Sequence, residues 1–270
     1  MGITVTGGTR KDRWTNEPPP LAVVLIDPTT TAGVQPSGFT GRTLSFSDEF
    51  NGSKLDLLKW DTNYPDWPTF NSQSPGGRFT NTNNANVYDS AHVSVNGASN
   101  LVLMAEKVST VTGLAYTSGM IQSLKSYTPT IGSFTETSVK LVGGLADKIW
   151  PAVWMSNSQY NTWPPEIDFF ENYGGGTIVY TNMFGGTSGN IINTHTVASA
   201  LSNYHTFGVW WKTDGTCLFY FDGTLVQSST TSPVFGSQYL IANLGTDASK
   251  PADFTGQYLM YVDYIRVWAT

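Results

Sequence analysis

From about Leu44 onward the chain is a series of short apolar and β-branched runs, each broken by Gly, Asn, Asp, Ser or Pro. These runs predict strands at 44–49, 86–93, 101–106, 118–124, 132–142, 150–156, 166–171, 177–184, 205–212, 216–221, 224–228, 238–244 and 257–268. Within Ser133–Val142 the pattern alternates. Phe134, Glu136, Ser138 and Lys140 share one face, and Thr135, Thr137, Val139 and Leu141 share the other. Tyr258–Trp268 carries large residues on both faces, as expected of a strand between two layers. Asp214-Gly215 and Asp222-Gly223 suit the tight turns that join antiparallel strands, so 205–228 reads as a three-stranded meander. No helical stripe of 12 or more residues is present. The expected class is all-β, a sandwich or barrel.

Composition sharpens this. Charged residues make up 13% of the 270 positions, against roughly 25% in an ordinary globular protein. Aromatic residues make up another 13%, which argues against wholesale disorder. Residues 1–38 stand apart, with Pro18-Pro19-Pro20, Pro28, Pro36 and the Thr29-Thr30-Thr31 run. They read as a tail or linker with one short strand at Leu21–Ile26, ahead of a domain at 39–270. The net charge of −6 and only 14 Lys and Arg argue against nucleic-acid or anionic-membrane partners. No apolar run reaches the ~18–20 residues of a membrane span, and the chain as given carries no export signal. The single cysteine, Cys217, lies in a predicted strand and is expected to be a buried structural thiol. His92, His195 and His205 are scattered and make no zinc pattern. His195 is expected in a polar loop, and His205 at a strand start in a structural role.

One segment carries candidate chemistry: Trp163-Pro164-Pro165-Glu166-Ile167-Asp168-Phe169-Phe170-Glu171-Asn172. On a regular strand Glu166 and Asp168 share a face while Glu171 turns away. One extra residue, a bulge at Phe169-Phe170, returns Glu171 to the acidic face. Three carboxylates then line one surface over an apolar core. Coupled carboxyls separate into an ionised and a protonated group, the pair that retaining glycoside hydrolysis requires. The alternative is a solvated strand face or a cation site. The acids sit among Trp150, Trp154, Trp163 and Tyr173, whose rings suit stacking against sugars.

At these residues the chain resembles glycoside hydrolase family 16, the laminarinase-like group of endo-β-glucanases and galactanases. Glu166-Ile167-Asp168-Phe169-Phe170-Glu171 is similar to the bulged form of the family signature. Five further segments agree in order: Phe46–Gly52, Tyr116–Ile121, Trp150–Met155, the meander beginning Tyr204-His205-Thr206-Phe207, and Val262–Val267. The resemblance covers about 43–270. It implies a concanavalin A-like β-jelly roll of two curved antiparallel sheets. It also implies Glu166 as nucleophile, Glu171 as general acid/base and Asp168 hydrogen-bonded to Glu166. Trp150, Trp154, Trp163, Tyr173 and Asn182 are the substrate-contact candidates.

Two departures fall on expected subsite residues. Asn83-Asn84-Ala85-Asn86 lacks an acid common in laminarinases, and Tyr180–Phe184 has no His where many relatives carry one. They bear on which polymer is cleaved, with β-1,3- or mixed β-1,3/1,4-glucan ahead of agar- or carrageenan-type galactan. Transglycosylation on the same fold, or a non-catalytic sugar-binding jelly roll, are the competing readings. No cofactor is expected for catalysis. Many relatives hold a structural calcium, for which Glu49 and Asp263 are the matching acids; surface hydrogen bonding is the other reading of both. A monomer acting outside the cell or in the periplasm is expected, with attachment to a phage virion as a variant.

Overall fold

The computed structural model describes residues 24–31, 41–62, 86–108, 115–143, 148–158, 164–172, 178–185, 190–196, 201–229, 233–247, 249–250 and 254–269. Its strands are β1 (Thr43–Asp48), β2 (Asn86–Tyr88), β3 (Val93–Val95), β4 (Leu101–Lys107), β5 (Tyr116–Ser118), β6 (Met120–Gln122), β7 (Phe134–Val142) and β8 (Ile149–Asn157). They continue with β9 (Glu166–Glu171), β10 (Ile178–Phe184), β11 (Asn190–Thr196), β12 (His205–Trp211), β13 (Cys217–Phe221), β14 (Thr224–Ser229), β15 (Gln238–Thr246) and β16 (Gln257–Ala269). Among the described residues the only helical element is a 3-10 turn at Ser90–His92.

Two sheets form. The larger runs β14-β13-β12-β7-β16-β4-β5-β2, with β1 paired to β16 and β3 to β4. The smaller runs β11-β10-β9-β8-β15-β6. Among the described strands pairing is antiparallel except between β2 and β5, which are parallel. The sheets close on one main core. Leu101, Leu103, Phe207, Val209, Trp211, Met260, Val262 and Ile265 come from the larger sheet, and Val153, Met155, Ile167, Phe169, Phe170 and Leu240 from the smaller. Full burial of each such side chain contributes about 1.5–3 kcal/mol. Cys217 lies in this core, and burial pushes its thiol far above the ordinary value.

The predicted meander is β12, β13 and β14, with Asp222 and Gly223 both at positive φ in the tight turn between the last two. Other expectations need correction. The 86–93 strand is interrupted because the Asp89 side chain accepts from the Ala91 backbone N–H and caps the 3-10 turn. The 118–124 strand divides at Gly119, where the chain passes from the larger sheet (β5) to the smaller (β6). Gly119 donates to Met104 and accepts from Leu244, and a Cβ there would collide with the His92 carbonyl. β11 has no counterpart among the predicted strands, since Asn190–Thr196 is mostly polar. It places His195 on a strand opposite Val179 rather than in a loop.

The boundary at 38/39 lies outside the described residues. Of the Leu21–Ile26 segment, the described part is not a strand but is docked on β1: Leu25 O accepts from Ser47 N, and the adjoining Asp27 N donates to Ser47 O. Leu25 also packs against the main core.

Candidate active site

β9 lies between β8 and β10 in the smaller sheet. Across β8, Ser156 faces Glu166, Trp154 faces Asp168, Val153 faces Phe170 and Ala152 faces Glu171. Across β10, Phe184 faces Glu166, Asn182 faces Asp168 and Tyr180 faces Glu171. Both registers slip by one residue between Asp168 and Glu171. The bulge therefore sits at Phe169-Phe170, where the spacing of the acids requires it. Both phenylalanines enter the main core, and Phe170 packs on Phe207 with ring centroids 4.5 Å apart. Their anchoring sends Glu166, Asp168 and Glu171 to the opposite face.

The three acids differ in surroundings. Glu166 is half-buried, whereas Asp168 is 2% and Glu171 6% exposed. Burial is the largest cause holding the Asp168 carboxyl well above its ordinary range, followed by the charges of Glu166 and Glu171. Glu166, as acceptor of the Asp168 proton, adds to the effect, and the Asn182 amide opposes it. Of the three acids, Asp168 lies deepest, between the two glutamates, and its surroundings disfavour the ionised form.

Glu171 is gripped at both oxygens. The Trp150 indole Nε1 donates to Oε1 at 2.8 Å, and Asn182 Nδ2 donates to Oε2. Asn182 is 3% exposed. Trp154, half-buried beside Asp168, donates through its indole Nε1 to Asn243 Oδ1 at 2.7 Å. Asn243 Nδ2 in turn donates to the Tyr88 hydroxyl at 3.0 Å. A second, smaller apolar cluster of Tyr88, Met120, Tyr239 and Ile241, with Trp154 and Leu124 against it, extends this face toward β6.

The structure thus brings together Glu166, Asp168, Glu171, Trp150, Trp154 and Asn182. Trp163 and Tyr173 lie outside the described residues. Asn243, Tyr88 and Tyr239 are site residues that the sequence reading misses. The alternation of 238–244 is a usable sign that Tyr239, Ile241 and Asn243 share a face; which neighbours they meet depends on the β15–β8 pairing.

Glu49 and Asp263 occupy different ground. Arg266 clasps Glu49 with Nε to Oε1 at 2.8 Å and Nη2 to Oε2 at 2.7 Å. Thr30 Oγ1 also donates to Glu49 Oε1 at 2.7 Å. Asp263 lies at the β16 bulge, its carboxyl raised first by burial and then by the Glu49 charge. With both Glu49 oxygens taken by a guanidinium, this pair does not fit a cation. Among the described residues no three His, Cys, Asp or Glu side chains converge as metal ligands. No helix among them is long and apolar enough to cross a membrane.

Comparison with known proteins places this geometry. The model of glycosyl hydrolases family 16 matches residues 80–248. Endo-1,3-1,4-beta-glycanase ExsH of Rhizobium meliloti (strain 1021) is 30% identical over 168 residues, covering 59% of this chain and 35% of that protein. Endo-1,3-1,4-beta-glycanase EglC of the same strain is 26% identical over 252 residues, covering 84% and 52%. The chain therefore spans between about a third and a half of the length of these relatives. Among solved structures, the catalytic domain of an endo-1,3-beta-glucanase (laminarinase) from Thermotoga petrophila RKU-1 superposes with a TM-score of 0.69 at 25% identity, covering 84% of this chain and 97% of that one. The jelly-roll fold, the bulged acidic strand and the match over 80–248 agree, and the chain belongs to glycosyl hydrolase family 16.

Proposed function

We propose that this chain is a retaining, endo-acting glycoside hydrolase that cleaves β-1,3- or mixed β-1,3/1,4-glucan. The observation that carries the reading is the bulge at Phe169-Phe170, which puts Glu166 and Glu171 on one face with Asp168 between them. Glu166 attacks the anomeric carbon while Glu171 protonates the departing glycosidic oxygen. Glu171 then takes a proton from water as that water displaces Glu166, so configuration is retained after two inversions. Asp168 stays protonated beside Glu166 and lends it a hydrogen bond, which offsets the cost of holding a half-buried carboxylate near a second acid. The endo-1,3-1,4-beta-glycanases among the relatives support a β-glucan substrate. So does the half-buried Trp154, an aromatic surface beside the acids. A polymeric substrate implies action outside the cell.

The test is product analysis by mass spectrometry on laminarin, mixed-linkage glucan, xyloglucan, agarose and carrageenan, with Glu166→Gln as control. Oligosaccharides from laminarin or mixed-linkage glucan, absent with the control, are expected. Products from agarose or carrageenan alone would replace the glucan assignment with a galactan one. Binding to a polymer without any products would leave a sugar-binding jelly roll.

A further inference from the structure

We propose that Trp150 and Asn182 are positioning residues that aim the proton of Glu171 at the leaving oxygen. The inference rests on the reading of Glu171 as general acid/base. It gives these two residues a task different from the sugar contacts their types suggest. Two geometric facts support it. Each oxygen of Glu171 has its own donor, from a different neighbouring strand: Trp150 on β8 at Oε1 and Asn182 on β10 at Oε2. The grip is therefore two-sided and fixes the plane of the carboxyl group as well as its position. Asn182 is also almost wholly buried, and its Oδ1 has no partner among the described residues, so the amide serves this site through its NH2 end. A buried amide acceptor left unpaired is unfavourable, a cost tolerable where the donor end serves the reaction.

The consequence is a dependence on the leaving group. General acid catalysis matters most when the departing oxygen is basic, as in a sugar, and little when it is a dinitrophenolate. Removing a residue that only aims the acid should therefore hurt glucan cleavage and spare an activated aryl glycoside. Trp150→Phe keeps an aromatic ring and removes the indole N–H; Asn182→Ala removes the amide. Each is expected to lower kcat/KM on laminarin or mixed-linkage glucan by about ten- to a hundred-fold, within the range of general-acid effects. On 2,4-dinitrophenyl β-laminaribioside, kcat/KM of Trp150→Phe should change less than about threefold, because that ratio reports the first displacement, in which dinitrophenolate leaves with little help from an acid. Asn182→Ala also removes a hydrogen bond to Asp168, so Trp150→Phe decides the comparison. Equal losses on both substrates, or no loss on either, would overturn the proposal.

A readout independent of turnover accompanies it. The Trp150 indole Nε1–H resonance, assigned by its disappearance in Trp150→Phe, should move with the ionisation of Glu171 and shift upfield in Glu171→Gln. An indole resonance that ignores Glu171→Gln would overturn the hydrogen bond and the proposal with it. A protein that shows this coupling yet cleaves none of the polymers would keep the hydrogen bond but overturn the hydrolase reading, and the aiming role with it.

Discussion

Trp154 stands directly across from Asp168, on the neighbouring strands β8 and β9. The indole is not free to turn, because its Nε1 is tied to Asn243, and Asn243 to Tyr88. An aromatic surface is thus held in one orientation beside Asp168, the most deeply buried of the three acids. A sugar stacked on it would find the ring already ordered in the free protein.

The tie is testable at Asn243. Asn243→Ala leaves the Trp154 N–H and the buried Tyr88 hydroxyl without this partner, an expected loss of about 1–3 kcal/mol of stability. Denaturant unfolding checks it. If Trp154 is a sugar platform, KM for glucan oligosaccharides should rise more than kcat falls. A fall in kcat with KM unchanged would remove the platform role.

Asp168 should couple stability to pH. Its folded carboxyl is raised above the ordinary value of 3.8, so between the two values the folded state binds more protons than the unfolded. The stabilisation is complete below that ordinary value and is lost as pH rises through the folded one. Asp168→Asn mimics the protonated form and should gain Tm relative to the parent as pH is raised. The same variant loses the carboxyl proposed to tune Glu166, and turnover is expected to drop about tenfold or more, ~1.4 kcal/mol. A Tm difference that is flat with pH would show that the Asp168 carboxyl titrates in the folded protein as it does in the unfolded chain.

The roles of the two glutamates separate with an external nucleophile. Glu166→Ala should abolish turnover. Glu171→Ala should lower it by about 10²–10⁴-fold, and azide should restore part of the activity on an aryl β-laminaribioside by giving a β-glycosyl azide. An α-configured azide from Glu171→Ala would reverse the assignment of nucleophile and acid.

The Glu49–Arg266 pair bridges β16 to the residue that follows β1, with both side chains about nine-tenths buried. Arg266→Met strands the carboxylate, and loss of one partner from such a pair costs about 3–5 kcal/mol. Any calcium effect on thermal unfolding should be the same in the parent and in Glu49→Gln. A calcium-dependent rise in Tm that Glu49→Gln abolishes would show that a cation displaces Arg266 from Glu49.

Much of this was legible along the chain. Alternation, Asp-Gly turns and the absence of a helical stripe specify short antiparallel strands, because side-chain direction repeats every two residues and local sterics enforce it. The odd spacing of Glu171 from Asp168 specifies the bulge, since the two flanking phenylalanines need the core and the acids cannot enter it unpaired. Cys217 was readable as buried for the same reason of local pattern. The amino-acid sequence determined which residues share a face. Tertiary structure alone decided which of them meet. Asn243 reaches Trp154 from 89 residues away, and Arg266 reaches Glu49 from 217. Those partners follow from strand order and register across two sheets. Register there is set by the packing of whole faces against one another, so no short window of the chain contains it. The division of strands at Gly119 and the polar edge strand β11 belong to the same class: one needs the second sheet nearby, the other needs β10 to pair with.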